Sequence, residues 1–370
     1  MSPDARAIAE SKPGLHPAPV AVEATADASQ PLPEPITLAE ALRRMPLTPR
    51  QRRRITWLQP YARLELPRFG KLLNDWGMND QAFWQDAPPV TVRQKGTGFD
   101  LRLELSDFYQ RINAFLGDYH EFDVVDTVRA ALRPGDLYLD GGANIGLITL
   151  HASHIVGPTG TVLACEPFTP AADRLQWHID RNNITNIDLR RLALSDQPGR
   201  SEVKQVAYDS LASSTLGPIP DRFDKGVHAK DRSVHACPVE TGDRLLATLE
   251  SSAQPLFVKL DIEGFELRAI HGLHDAMCHR RCAFLTEVNQ EVLEGQGHSP
   301  LDIFDHMVEY GYMPFGLERH GAKGRFRLLL NPLTRPDVLH VKDVLWLTPT
   351  GPHWVRLRAQ MRAPGLRRWG

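Results

Sequence analysis

The chain has 370 residues, a formal net charge of −2, 42% hydrophobic residues and 24% charged residues. This composition is ordinary for a globular protein in water, and the near-balanced charge excludes a global drive toward nucleic acid or anionic membrane. No apolar run approaches the roughly 18 residues of a membrane span, and no basic patch followed by an apolar stretch suggests a leader. With only four cysteines, Cys165, Cys237, Cys278 and Cys282, a reducing compartment is expected, and the cytoplasm is the default location. Cys278 and Cys282 have a C-x3-C spacing, but no second pair completes a zinc set, so thiols without metal are expected.

Residues 1–35 carry seven prolines and eight alanines, too little apolar periodicity to offset ordering entropy, so a disordered tail is expected. From 36 to 97 the sequence predicts a helical N-terminal extension. Thr37-Leu38-Ala39-Glu40 reads as a capping box. Thr48-Pro49-Arg50-Gln51 reads as a second helix start, with proline at the first helical position. That second segment holds Arg50, Arg52, Arg53 and Arg54. Without interleaved aromatics, the block reads as a solvated face rather than a nucleic-acid arm.

From residue 98 the pattern becomes that of an α/β domain, expected to run to about 350. Phe99–Leu105 alternates apolar and charged residues as a strand does. Leu137-Tyr138-Leu139 leads into the loop Asp140-Gly141-Gly142-Ala143-Asn144-Ile145-Gly146, and apolar positions then recur at helical spacing. Gly160–Cys165 is a second strand ending in Glu166, and Thr169-Pro170 opens a helix. A third strand is read from Ile187 to Leu194. Residues 200–240 interrupt the rhythm with two strands around a polar loop, in which Ser210–Leu216 is a candidate lid. Phe257–Leu260, a helix near 263–276, the strand Ala283–Leu285 and a helix from Ser299-Pro300 to Gly311 follow. Two extended segments in 326–348 suit an antiparallel edge hairpin, and 351–370 reads as a basic tail. Alternating strands and helices with short connections imply parallel strands joined by crossover helices.

The loop reads D-x-G-x-N-x-G, whereas a dinucleotide site reads G-x-G-x-x-G against a pyrophosphate. Its leading carboxylate suits a ligand with a cationic amino-acid portion, as S-adenosylmethionine has. Glu166 ends the next strand, where a carboxylate can accept from ribose hydroxyls. Ser195 and Asp196 stand where a side chain could receive an adenine amino group. Asp261 ends the fourth strand, beside the expected transfer point. Ligands of open α/β sheets bind beyond the carboxyl ends of the strands, so these positions converge on one crevice.

Leu139–Gly146, Glu166-Pro167, Ala193–Asp196 and the run Val258–Glu266 together resemble the FkbM-type methyltransferases. Gly117–Glu121 and the strand at Glu287 are similar to the family as well. The resemblance spans the order of elements over 98–350 and does not cover the first 90 residues. It implies a Rossmann-like class I methyltransferase sheet, mostly parallel with an antiparallel C-terminal edge hairpin. It also implies S-adenosylmethionine-dependent transfer to a hydroxyl of a sugar, polyketide or other metabolite. The cofactor residues it carries over are Asp140, Gly142, Asn144, Gly146, Glu166 and Asp196, with Ser195 beside them. Gly141 departs from the branched apolar residue common in the family.

An aliphatic hydroxyl needs a base as the methyl arrives. Asp261 is the candidate catalytic base, with Lys259 and Glu263 as supports. Lys259 and Asp261 share a strand face and could pair, keeping Asp261 ionised. The competing reading makes Glu263 a helix-start acid at the positive dipole end and Lys259–Asp261 an ordering ion pair. No metal site is expected; Asp261, Glu287 and Asn289 could offer oxygens to Mg²⁺ but lack a dedicated ligand spacing. Two further functions stand against the small-molecule or glycan O-methyltransferase. One is an RNA-directed methyltransferase docking through Arg50–Arg54, and the other is a non-catalytic scaffold.

Overall fold

The structure is a computed structural model, and it describes residues 34–66, 68–75, 77–205, 214–216, 234–249, 253–322 and 325–362. All but the last two residues of the expected tail, most of the candidate lid and the last eight residues lie outside the described residues.

The N-terminal extension begins with a short strand β1 (Ile36–Thr37) and helix α1 (Leu38–Arg44), whose cap Thr37 accepts from the Glu40 amide. Helix α2 (Pro49–Arg63) opens on a complete capping box between Thr48 and Gln51. Short helices α3 (Phe69–Asp75) and α4 (Gln81–Trp84) lead to strand β2 (Val90–Arg93), which pairs in parallel with β1 and antiparallel with β3 (Asp100–Leu103). The boundary expected at residue 97 therefore falls inside a hairpin. Strand β3 also breaks the expected alternation: Leu101, Arg102 and Leu103 are all buried. Arg102 lies 3.5 Å from Glu104, and its amide donates to His178. Neighbouring packing overrode the two-residue period.

Helices α5 (Phe108–Leu116) and α6 (Phe122–Ala131) precede the central sheet. Its parallel strands are β4 (Leu137–Gly141), β5 (Thr161–Cys165) and β6 (Ile187–Arg190), joined by helices α7 (Leu147–Val156) and α8 (Thr169–Arg181). The third strand stops at Arg190. Ala193–Leu194 forms a separate strand, β7, in a second sheet with β8 (Gly199–Gln205), β9 (Ser214–Thr215) and β10 (Val234–Glu240).

Strands β11 (Leu256–Leu260) and β12 (Cys282–Glu287) return to the central sheet in parallel with β4. Strands β13 (Met313–Ala322) and β14 (Arg325–Pro332) form the edge hairpin, and β15 (Asp343–Leu347) inserts antiparallel between β12 and β13. The spatial order is β14-β13-β15-β12-β11-β4-β5-β6. The inner strands read as near-continuous apolar runs because both faces are covered: every residue of β4, β11 and β12 is buried. The expected basic tail instead packs onto the domain as far as it is described. Pro352–Leu357 is a helix with His353 and Leu357 buried, and Arg356 pairs with buried Asp136. No described helix is long and apolar enough to cross a membrane.

Candidate active site

The loop after β4 turns through three left-handed residues, Gly142 (φ 75°), Asn144 (φ 52°) and Gly146 (φ 88°). Side chains clash in this region, so glycine relieves strain and asparagine tolerates it. A Cβ on Gly142 would collide with the Asp261 carbonyl oxygen, and one on Gly146 with Leu175. Gly141 has its own reason: a Cβ there would lie 2.8 Å from Leu260 and 2.9 Å from Leu194, whose side chains fill the space. The amides of Gly142 and Ala143 both donate to the Cys165 carbonyl, and that of Gly146 to Ala143. The Asn144 amide donates to Glu166 at 2.7 Å and the Ile145 amide to the Asn144 side chain at 2.6 Å. All five loop amides are thus satisfied within the chain. The loop is therefore a shaped surface rather than the amide cradle that a pyrophosphate needs.

Glu166 stands at the end of β5 and is almost fully buried. Its two oxygens accept from Asn144 and, at 2.8 Å, from the Phe168 amide. Each carboxylate oxygen retains capacity for a further donor, so ribose hydroxyls suit it. Burial pushes its carboxyl up to about 7, against the two backbone hydrogen bonds that lower it. The Ser195 hydroxyl donates to Asp196 at 2.9 Å, and its amide to the Glu240 carbonyl at 3.0 Å. These two residues follow β7 rather than the third central strand, and Leu194 before them packs toward Gly141.

Asp140 is placed differently from the expected contact to a cationic ligand. It is 1% exposed, with one oxygen accepting from Thr149 on α7 at 2.7 Å and the other 3.4 Å from the Lys259 ammonium. Register explains this contact: Lys259 of β11 stands opposite Asp140 of β4. Burial raises the Asp140 carboxyl, while Lys259 and Thr149 pull it down.

Lys259 also lies 3.5 Å from Asp261, so the expected pair is present with a third member. Burial alone would lower the lysine, but Asp140 and Asp261 raise it above the usual ammonium range. Asp261 follows β11 with its side chain 28% exposed, so solvent or a substrate reaches it. Burial would raise its carboxyl; Lys259, Lys342 and a hydrogen bond with Glu287 outweigh this and hold it below the usual carboxylate range. Glu287, at the end of β12, is driven well above that range by burial and by the charges of Asp261 and Glu263.

Glu263 does not begin a helix. It sits at φ 55°, followed by Gly264 at φ 97°, in a left-handed turn. The helix starts at Glu266, whose buried carboxyl accepts from the Ile262 amide at 2.9 Å and the Gly264 amide at 3.0 Å. The dipole argument thus passes from Glu263 to Glu266. Among the described residues no group of three or more His, Cys, Asp or Glu side chains is arranged to hold a metal. Cys278 is exposed, while the Cys282 thiol is buried against the Ala276 carbonyl, so the C-x3-C pair does not converge. His151 is buried against Asp118 at 2.6 Å, a structural contact beneath α7. Lys342 is the one member of the site that no local pattern marks; it contacts Glu121 and lies 3.6 Å from Glu287.

Residues 140–314 match the family described as Methyltransferase FkbM domain. A relative named 31-O-demethyl-FK506 methyltransferase FkbM, from Streptomyces tacrolimicus, is 26% identical over 179 residues, which is 43% of this chain and 67% of that one. A solved FkbM methyltransferase from Methylobacillus flagellatus KT is 16% identical, with a TM-score of 0.34, covering 74% of this chain and 59% of that one. A precorrin-6y C5,15-methyltransferase from Geobacter metallireducens GS-15 is 13% identical, with a TM-score of 0.34, covering 62% and 89% respectively.

Proposed function

We propose, from the match of residues 140–314 to the FkbM methyltransferase domain, that the chain methylates a hydroxyl oxygen of a small-molecule or glycan acceptor. The observation that carries this reading is Asp261: a carboxylate held ionised by two lysines, partly open to solvent, hydrogen-bonded through its amide to the Gly141 carbonyl of the glycine loop. The name of the Streptomyces relative refers to methylation at an oxygen, which suits an acceptor that must lose a proton.

When bound, S-adenosylmethionine supplies an electrophilic methyl on a sulfonium. The residues present fit it. Glu166 offers acceptor capacity at the end of β5 for ribose hydroxyls, with Ser195 and Asp196 for the adenine edge. Gly142, Asn144 and Gly146 shape a loop whose satisfied amides leave no unmet demand for phosphate. Asp140 and Lys259 are positioning residues in this reading: their contact orders the ends of β4 and β11, and Lys259 keeps Asp261 charged. Asp261 then accepts the hydroxyl proton as the oxygen–carbon bond forms, a role worth about 10²–10⁴ in rate.

Calorimetric titration of the full chain with S-adenosylmethionine tests the cofactor half. Micromolar binding that weakens at least about tenfold in Glu166→Ala is expected from losing hydrogen bonds to a charged acceptor; absence of binding by the unaltered chain sinks the reading. Screening neutral hydroxylated metabolites with labelled methyl donor tests the other half. Asp261→Asn should lower turnover about a hundredfold or more, and turnover at the unaltered rate would remove Asp261 as base.

A further inference from the structure

Between Glu40 and Glu65 the sequence holds seven arginines and no acid, in a chain whose net charge is −2. Some of these arginines serve the fold. Arg44 pairs with Glu40, Arg52 donates to the carbonyls of Leu42 and Met45, and Arg63 donates to the Arg93 carbonyl at 3.1 Å. Arg50, Arg53 and Arg54 are exposed, and among the described residues no hydrogen bond or ion pair holds them. They crowd the first two turns of α2, at the positive end of the helix dipole, where cations are unfavourable. No acid in the first turn offsets them.

The same helix carries two exposed apolar side chains. Trp57 is 65% exposed and Leu64 62%, more than any other large apolar side chain among the described residues. At about 3.6 residues per turn, Arg50, Arg53, Arg54, Trp57 and Leu64 share one side of α2. The other side buries Ile55, Leu58 and Ala62 and holds the helix to the domain. The C-terminal end is fixed as well: buried Glu65 pairs with Lys95 and with Arg319, whose guanidinium lies over the rings of Phe122 at 4.6 Å and Phe326 at 3.8 Å. Phe69 of α3 packs edge-on against Phe122, which follows Glu121, the partner of Lys342. The outer face of α2 is thus rigid, basic and apolar, and the packing of the fold does not use it.

We propose that this face of α2 is a docking surface for an anionic lipid membrane, with Arg50, Arg53 and Arg54 against the headgroup phosphates and Trp57 and Leu64 in the interfacial layer. A helix with arginines and apolar residues on its free side lies in the plane of such an interface. An indole settles at headgroup level, and each arginine beside an anionic leaflet adds attraction. Nucleic acid also complements the arginines and can stack a base on Trp57, but it offers no apolar layer to the aliphatic Leu64. The lipid interface takes all five side chains. The attraction is local rather than a property of the whole chain, and no described helix crosses a membrane, so the binding is peripheral and screened by salt.

The test is co-sedimentation of the full chain with vesicles of phosphatidylcholine, alone or mixed with phosphatidylglycerol, and it needs neither cofactor nor acceptor. Binding is expected to the mixed vesicles only and to fall as salt is raised. The triple change Arg50→Gln, Arg53→Gln, Arg54→Gln should weaken it about a hundredfold. Trp57→Ala should weaken it about tenfold, as for one large apolar side chain left in water. Both variants should keep the urea midpoint of the unaltered chain, since the altered side chains are exposed. The tryptophan emission of the unaltered chain should shift to the blue on mixed vesicles, and Trp57→Phe should abolish most of that shift. No binding, equal binding to both vesicle types, or binding unchanged in the triple variant overturns the proposal. So does capture of a labelled RNA hairpin through the same arginines without any binding to vesicles, which assigns the face to nucleic acid.

Discussion

Gly142 and Glu166 show how single residues set the site. Any β-carbon at 142 meets the Asp261 carbonyl and forces a left-handed φ on a side chain. Gly142→Ala should therefore destabilise the fold by about 2 kcal/mol or more through overpacking and backbone strain, read as a lower urea midpoint, and should displace the Asp261 loop. Glu166 carries a pH dependence. Its carboxyl titrates at about 7 in the fold, above the ordinary glutamate value. The neutral acid is then favoured by folding, so its contribution to stability is complete below the ordinary value and is lost as pH rises through about 7. Ligand binding has the opposite sign, because the ionised form is the stronger acceptor for ribose hydroxyls. Affinity for S-adenosylmethionine should rise between pH 6 and pH 8 in the unaltered chain, and this rise should vanish in Glu166→Gln. A flat profile in the unaltered chain would show that Glu166 does not meet the ribose.

Among elements, the turn at 261–265 depends on a residue outside it. The Glu266 carboxyl holds the amides of Ile262 and Gly264, and burial pushes it up to about 8. Glu266→Ala leaves two amides without that acceptor, so hydrogen exchange at 262 and 264 should accelerate about tenfold or more, as for a loss of roughly 1.4 kcal/mol. Helix α2 shows how one basic block divides. Arg52 donates to the carbonyls of Leu42 and Met45, whereas Arg50, Arg53 and Arg54 are exposed. Arg52→Ala should cost about 1–2 kcal/mol in denaturant unfolding; Arg53→Ala should stay within about 0.5 kcal/mol. Equal effects would contradict the structural role of Arg52.

At the scale of the whole molecule, local signals and tertiary contacts divide the work. The capping boxes at Thr48 and Ser299 and the left-handed turns of the glycine loop follow from residues within a few positions of each other. The capping boxes close over three residues, so sequence alone determined them, whereas the loop's first amides reach Cys165 and Glu166, 22 or more residues away. The helix start was misplaced by three residues because Glu263-Gly264 resembles an acidic first turn, while only the fold shows that Glu266 reaches back to hold the turn. The third strand was read too long because Leu192–Leu194 is apolar for a different sheet. The partners of Asp140, Asp261 and Glu287 were decided by tertiary structure alone. They follow from strand order and register, which bring β4, β11, β12 and the start of β15 side by side although residues 140 and 342 are far apart in the chain. A charged residue's neighbours across a sheet depend on which strands pair, and no short stretch of sequence carries that information.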